Sequence, residues 1–274
     1  MKYINFVKRM NFLMGFAILL SIMPFAGQAQ DNSPMFALVE FMKVKPENDG
    51  KYLDLEKNIW KPLHQVRANK GNIFGWFLYK VWFTGTDDKY SYVTVTLFSD
   101  PLNIENPWKD IDAAKILPGK DLDKAMVETG ESRDMVSSSL IFRQDFVYPE
   151  GGPGNFKYIQ LDYMKVKPGK DNDYLDAEKN VWKSVHNEFI KAGSRVGWSL
   201  WSRSFPSGYA LDYQYVTVNY FSDWSKIGVA DYMDAFNKAH PGKDANELME
   251  KTGASRVLVR SELWEVIDSA FPKQ

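Results

Sequence analysis

The segment YLDLEKNIWKPLH at Tyr52–His64 recurs at Tyr174–His186 as YLDAEKNVWKSVH. The agreement extends well beyond one helix. An offset of 122 residues joins Met42 to Met164, Pro46 to Pro168, Gly71 to Gly193, and the pair Gly75-Trp76 to Gly197-Trp198. One inserted residue later the offset is 123. It then joins the YVTV motifs at Tyr92 and Tyr215, FSD at Phe98 and Phe221, PGKD at Pro118 and Pro241, and TGESR at Thr129 to TGASR at Thr252. A match this long, held in register, reads as a duplicated domain. The units span residues 31–147 and 157–271, and the Pro/Gly-rich stretch 148–156 reads as the linker between them.

Each copy carries the same signals. FALVEFMKV is rich in β-branched and aromatic residues and reads as a strand. From Tyr52 to Lys70 the apolar residues Tyr52, Leu55, Ile59, Leu63 and Val66 recur at helical spacing, and Gly71 ends the run. FGWFLYKVWF and YSYVTVTLF read as two strands of a hairpin. A second helical stretch is broken at Pro118-Gly119 and expected to end at Gly130, with Gly130 and Gly253 as helix C-caps. DMVSSSLIF closes the unit as a strand. The order β-α-β-β-α-β is that of a ferredoxin-like split βαβ unit. Its helices cover only one sheet face. In YSYVTVTLF, however, Val93, Val95 and Leu97 point one way and Tyr92, Thr94 and Thr96 the other, so both faces need cover. The expected fold is therefore α+β: two tandem ferredoxin-like units closing one barrel within a single chain.

Lys2, Lys8 and Arg9 precede an apolar run from Phe12 to Gly27 and the small-residue stretch GQAQ. This is the layout of a signal peptide, residues 1–29, cut after Ala29. The run falls short of the roughly 20 residues of a spanning helix, and Pro24 interrupts it. The expectation is an exported chain, periplasmic or secreted, with no stable membrane anchor after cleavage. No cysteine is present, so neither disulfides nor a lipidated cut site is available. Lys plus Arg is 34 against 35 for Asp plus Glu, a balance with no basic field for nucleic acid.

The opening MKVKPGKDNDYLDAEKN, a strand, then Lys-Pro-Gly, then an amphipathic helix, resembles the dimeric α/β-barrel superfamily. That group includes the antibiotic-biosynthesis monooxygenase-like, EthD-like and NIPSNAP-like families. The resemblance covers both copies. It implies a barrel made from a pair of units, here fused as a monomeric pseudo-dimer that can associate further. It also implies a pocket between helices and sheet, used in many members by oxygenases, isomerases or haem-handling enzymes.

Glu56, Trp60 and His64 lie four residues apart on one helical stripe, as do Glu178, Trp182 and His186. The stripe flanks the apolar face and is where a pocket wall would stand. His64, His186, Glu56 and Glu178 are the candidate acid–base residues, because imidazole titrates near neutrality and a desolvated carboxyl can hold a proton. Trp60, Trp182, Trp76, Trp198, Tyr92, Tyr215 and Asn219 are the candidate ligand-binding residues, with His186 expected to face a cavity walled by Trp182 and the strands. The alternative is structural, with His bonding a strand and Trp filling the helix–sheet gap. One metal cannot span Glu56 and His64, which are about 12 Å apart along the helix. His240, the third histidine, is matched by Leu117, so no metal site and no bound cofactor are expected. Glu40 and Asp162, mid-strand, call for partners, with Arg133 and Arg256 as candidates. Pro62, at the position of Ser184, is expected to kink the first-copy helix only. PGKD lacks the spacing of a phosphate loop, and no G-x-S-x-G, dinucleotide fingerprint or cysteine nucleophile occurs. The readings left open are a cofactor-independent oxygenase or isomerase acting on a small aromatic or apolar compound, a ligand- or haem-binding module, and a structural protein of the cell envelope.

Overall fold

The computed structural model describes residues 34–150, 152 and 154–273, so the signal peptide expected at 1–29 lies outside the described residues. The first half runs β1 (Phe36–Val44), α1 (Asp49–Leu55), α2 (Lys61–Asn69), β2 (Gly75–Val81), β3 (Tyr92–Phe98), the short α3 (Leu102–Glu105) and α4 (Ala113–Ile116), α5 (Leu122–Ser132) and β4 (Arg133–Val147). The second half repeats the order with β5 (Tyr158–Val166), α6 (Asp171–Ala177), α7 (Lys183–Lys191), β6 (Gly197–Phe205), β7 (Tyr215–Phe221), α8 (Tyr232–Ala239), α9 (Ala245–Ser255) and β8 (Arg256–Ala270). The eight strands close one barrel in the order β1-β3-β2-β8-β5-β7-β6-β4, and every pairing is antiparallel.

Strand alternation decides which side chains fill the barrel. Val93, Val95 and Leu97 of β3 join the interior cluster with Phe77, Tyr79, Val216, Val218 and Trp264, while Tyr92 and Phe98 face the helices. Both halves contribute to this one interior. Outside it, Trp76 and Leu78 pack under the first pair of helices, and Trp198 and Leu200 under the second. Burial of such side chains is the main stabilising term, at about 1.5–3 kcal/mol for each large apolar residue.

The long final strands tie the halves together. β4 starts beside β1 but its end pairs with β6, and β8 starts beside β5 but its end pairs with β2. Each exchanged end carries an aspartate held by a helix lysine of the other half: Lys61 Nζ lies 2.5 Å from Asp268, and Lys183 Nζ lies 2.6 Å from Asp145. Three residues after each aspartate an aromatic ring, Tyr148 or Phe271, packs against the interior cluster. A Cβ on Gly197 would meet the Tyr148 ring at 2.5 Å, and one on Gly75 would run into Phe271. That close approach explains the glycine of both Gly-Trp pairs.

Two expectations are corrected here. Gly130 and Gly253 do not cap helices; both sit inside them, in α5 and α9, because the serine-arginine end of each motif carries the helix further. The first long helix is not kinked by Pro62 alone. Both halves open into a π turn at the same place, Glu56–Trp60 and Glu178–Trp182, where the amide N–H groups of Lys61 and Lys183 donate to the carbonyls of Glu56 and Glu178. Pro62 stands in the first turn after that opening, where the regular ladder is already broken and its missing N–H costs little.

Candidate functional site in the helix–sheet layer

The two histidines emerge from α2 and α7 just past the π turn and lie flat on the strand below. His64 stacks on Trp76 with centroids 4.7 Å apart and planes 15° apart; His186 stacks on Trp198 at 4.9 Å and 13°. In each case an arginine meets the imidazole. Arg67 Nη1 lies 2.7 Å from His64 Nδ1, and Arg195 Nη1 bonds His186 Nδ1. A guanidinium can only donate, so Nδ1 accepts and the hydrogen of each neutral ring sits on Nε2. Burial, and then repulsion by Arg67, pull the His64 pKa down to about 3; burial and Arg195 lower that of His186 in the same direction.

The arginines come from different places. Arg67 is on helix α2, where the second copy has Phe189; Arg195 is in the loop after α7, where the first copy has Ile73. Each guanidinium also lies over an aromatic ring, Arg67 over Trp108 and Arg195 over Phe189, both at 4.3 Å. The halves therefore reach the same imidazole–indole–guanidinium layer by exchanged positions.

Glu56 and Glu178 open the π turns and are 5% and 3% exposed. Burial raises each carboxyl to about 7, against the opposing pull of Arg133 on Glu56 and of Arg256 on Glu178. Among the described residues no ion pair closer than 4 Å joins either glutamate to its arginine. Tyr52 and Tyr174 lie one helical turn before them, wholly buried, their own pKa values raised first by burial and then by the neighbouring glutamate. Each half thus holds a desolvated Tyr-Glu-Arg group whose carboxyl can carry its proton near neutral pH.

Buried polar atoms without partners mark these layers unequally. Tyr52 Oη has Glu56 as its hydrogen-bond partner and Tyr174 Oη has Glu178. Arg133 Nε and Arg256 Nε lack partners in matching places, and the second half adds Arg195 Nε, Trp198 Nε1 and Asn219 Oδ1. Native interiors leave few such groups, and each calls for a physical cause.

The Glu-Trp-His stripe is not a single cluster. Trp60 Nε1 donates to Thr129 at 2.9 Å and Trp182 Nε1 to Thr252 at 2.8 Å, which turns both indoles toward α5 and α9. Trp76 and Trp198 lie under the histidines instead. Tyr92 and Tyr215 donate to the helix-opening Asp49 and Asp171, at 2.7 and 3.3 Å. Asn219 Nδ2 donates to Asp162 at 3.3 Å. Glu40 and Asp162 find hydroxyl and amide partners rather than the arginines expected for them: Thr94 donates to Glu40, while Ser261, Gln160 and Asn219 donate to Asp162. Tyr52 and Tyr174 stand out in sequence only as a repeated pair and Arg67 only as a difference from Phe189, while nothing in the sequence points to Arg195.

Among the described residues, no group of three or more His, Asp or Glu is placed to hold a metal ion. None of their helices is long and apolar enough to cross a membrane. No protein-family model matches the sequence, and no curated protein matches it. Solved structures do. A protein of Fusobacterium nucleatum named as a candidate monooxygenase is 14% identical, with 89% of this chain and all of that one covered, at a TM-score of 0.55. An anthrone oxidase-like protein is 13% identical over 89% of this chain and 95% of its own, at 0.48. A candidate chlorite dismutase is 14% identical over 86% and 95%, at 0.45. The first likeness shows a shared fold, an α+β barrel of antiparallel strands with helices outside; at this identity it says nothing about reaction.

Proposed function

We propose that this is an exported small-molecule-binding protein, a tandem duplication of one ferredoxin-like unit, in which the helix–sheet layer of the second half holds a small, largely aromatic or apolar compound bearing a polar group. The observation that supports this reading is that Arg195 Nε, Trp198 Nε1 and Asn219 Oδ1 are buried without partners in that layer, with no such atoms at the matching positions of the first half. Burying donors and an acceptor without partners costs about 1–3 kcal/mol each. A ligand that supplies the missing partners recovers that cost on binding.

The neutral His186 contributes a Nε2–H donor beside the Trp198 ring, suited to an oxygen on a flat ligand. Its depressed pKa removes it as a general base at neutral pH. Turnover, as a cofactor-independent oxygenase or isomerase, would instead rest on Glu178, whose carboxyl both binds and releases a proton near pH 7. The signal-like leader supports export to the periplasm or medium, and the closed single-chain barrel supports a monomeric pseudo-dimer.

The test is a thermal-shift screen of small aromatic compounds on the purified chain, with mass spectrometry of anything that co-purifies. Both His186→Ala and His64→Ala leave a buried guanidinium nitrogen unpaired and should lower the melting temperature, but only His186→Ala is expected to abolish binding of a hit. If both variants lose stability and neither alters binding, the layer is architecture and the proposed site is wrong.

A further inference from the structure

The seam where β2 of the first half meets β8 carries a cluster of exposed aromatic side chains on its outer side. Trp82 and Phe83 follow β2 and Trp224 follows β7, so both halves contribute. They are 37%, 81% and 44% exposed. Their ring centroids lie 4.9 Å apart for Trp82 and Trp224, 6.0 Å for Trp82 and Phe83, and 6.3 Å for Phe83 and Trp224. For side chains of about 150–250 Å² each, these fractions leave roughly 350 Å² of aromatic surface in one patch. A patch of that size on a monomer is often functional.

The rings are held before any ligand arrives. Trp82 Nε1 donates to Glu265 at 3.1 Å, and Glu265 also pairs with Lys157 at 3.3 Å. Trp224 meets the Tyr158 ring edge-on, at 5.4 Å and 81°. A surface fixed in this way loses little entropy on binding. Phe83 has a φ of 60°, a left-handed conformation that suits glycine and not a bulky ring. Its ring touches Trp82 and Trp224 and otherwise faces solvent, so core packing does not account for it. At the β6–β4 seam the matching positions are Ser204, Phe205 and Pro101, with Phe142 in place of Glu265 and Met35 in place of Lys157. The aromatic platform and its ion pair therefore occur once, and the duplication does not explain them.

We propose that this seam binds a short oligosaccharide. Sugar rings present C–H faces that stack on aromatic surfaces, and hydroxyls at their edges that both donate and accept. Trp82, Phe83 and Trp224 meet the faces. The Glu265–Lys157 pair beside them, an acceptor next to a donor, meets the hydroxyls. The mutual tilts of 51–59° give three stepped surfaces, which suit successive sugars better than one flat ring system. A second copy of the chain is disfavoured by area, since a stable interface takes about 800 Å² from each partner. An anionic membrane is disfavoured by charge: Glu265 and Asp223 balance Lys157 and Lys226 next to the rings, which leaves no basic field. A cationic ligand would meet the Lys157 ammonium. The platform shares no residue with the helix–sheet site, and its failure leaves the reading of that site untouched.

The test is saturation-transfer NMR on the purified chain with maltohexaose, cellohexaose, chitohexaose and xylohexaose at millimolar concentration. At least one is expected to bind. Phe83→Gly removes the outermost ring and relieves its backbone, and Trp224→Ala removes the ring supplied by the second half. Each is expected to lower affinity roughly tenfold or more, with far-ultraviolet circular dichroism matching wild type. Flotation with phosphatidylglycerol vesicles and sedimentation velocity test the other occupants. Binding of none of the oligosaccharides, or oligosaccharide binding that ignores both variants, would overturn the proposal. So would vesicle binding or self-association, in place of sugar binding, that the variants abolish.

Discussion

The buried glutamates should write their protonation into the pH dependence of stability. Take Glu178→Gln and Glu56→Gln, which keep shape and remove titration. In the unfolded chain each carboxyl titrates at 4.5; in the fold burial holds it at about 7. The folded state therefore binds the proton more tightly. The stabilisation is complete below pH 4.5 and is lost as pH rises through 7. A difference of about 2.5 at 1.36 kcal/mol each gives about 3 kcal/mol for each glutamate. The histidines act with the opposite sign. His64 falls from 6.5 to about 3, so its contribution is complete above 6.5 and is lost as pH falls toward 3. Between pH 4.5 and 6.5 the two effects oppose each other, and the wild-type profile alone would hide both. The informative quantity is the difference between variant and wild type, in which the histidine contribution cancels. Urea unfolding at pH 4.5, 6 and 8 measures it. Each Gln variant should match wild type at the acid end and exceed it by about 3 kcal/mol at pH 8. A variant less stable than wild type by the same amount at every pH would mean that the carboxylate is ionised throughout and paired with Arg133 or Arg256, and the acid–base reading would fail.

Three further outcomes follow from the packing. Gly197→Ala drives a methyl into the Tyr148 ring and should cost about 1–3 kcal/mol in chemical denaturation, with Tyr148→Leu restoring most of it. Arg67→Met removes the cation beside His64 and should raise the imidazole pKa from about 3, read by 13C NMR of the ring, while burial keeps it below 6.5. Residues 34–147 expressed alone uncover the barrel interior and lose the β8 partner of β2, so they should dimerise or aggregate in analytical ultracentrifugation; a soluble monomeric half would refute the exchange of strand ends as a stabilising feature.

The architecture was readable because its causes are local and repeated. Alternation in YSYVTVTLF gave two covered faces, and Val93, Val95 and Leu97 do fill the barrel while Tyr92 faces the helices. The π turns were not readable. EKNIW and EKNVW look like ordinary helix, and the extra residue appears only when the packing of Glu56 and Trp60 on different neighbours is known. Pro62 drew attention to the right place for the wrong reason, since EKNVW opens in the same way with serine at that position.

The site was half readable for a related cause. Residues kept at equal offsets, such as Glu56 and Glu178 or Trp76 and Trp198, declare themselves by repetition. Arg67 and Arg195 do not, because each occupies a position where the other copy is apolar. Only the fold brings the loop after α7 over the same point that α2 reaches from its own surface. Their convergence on His Nδ1 carries more weight than a repeated pair would. Had the guanidinium stood at equal offsets, it would be one more repeated residue. Supplied twice from different positions, it indicates that each half requires an imidazole held neutral with Nε2–H as its donor. A purely structural histidine would be served as well by a backbone carbonyl, as His240 is by Val181, with no cation buried to hold it. Burying a guanidinium to fix a tautomer is costly, and both halves carry that cost, although only the second-half imidazole is proposed to meet a ligand.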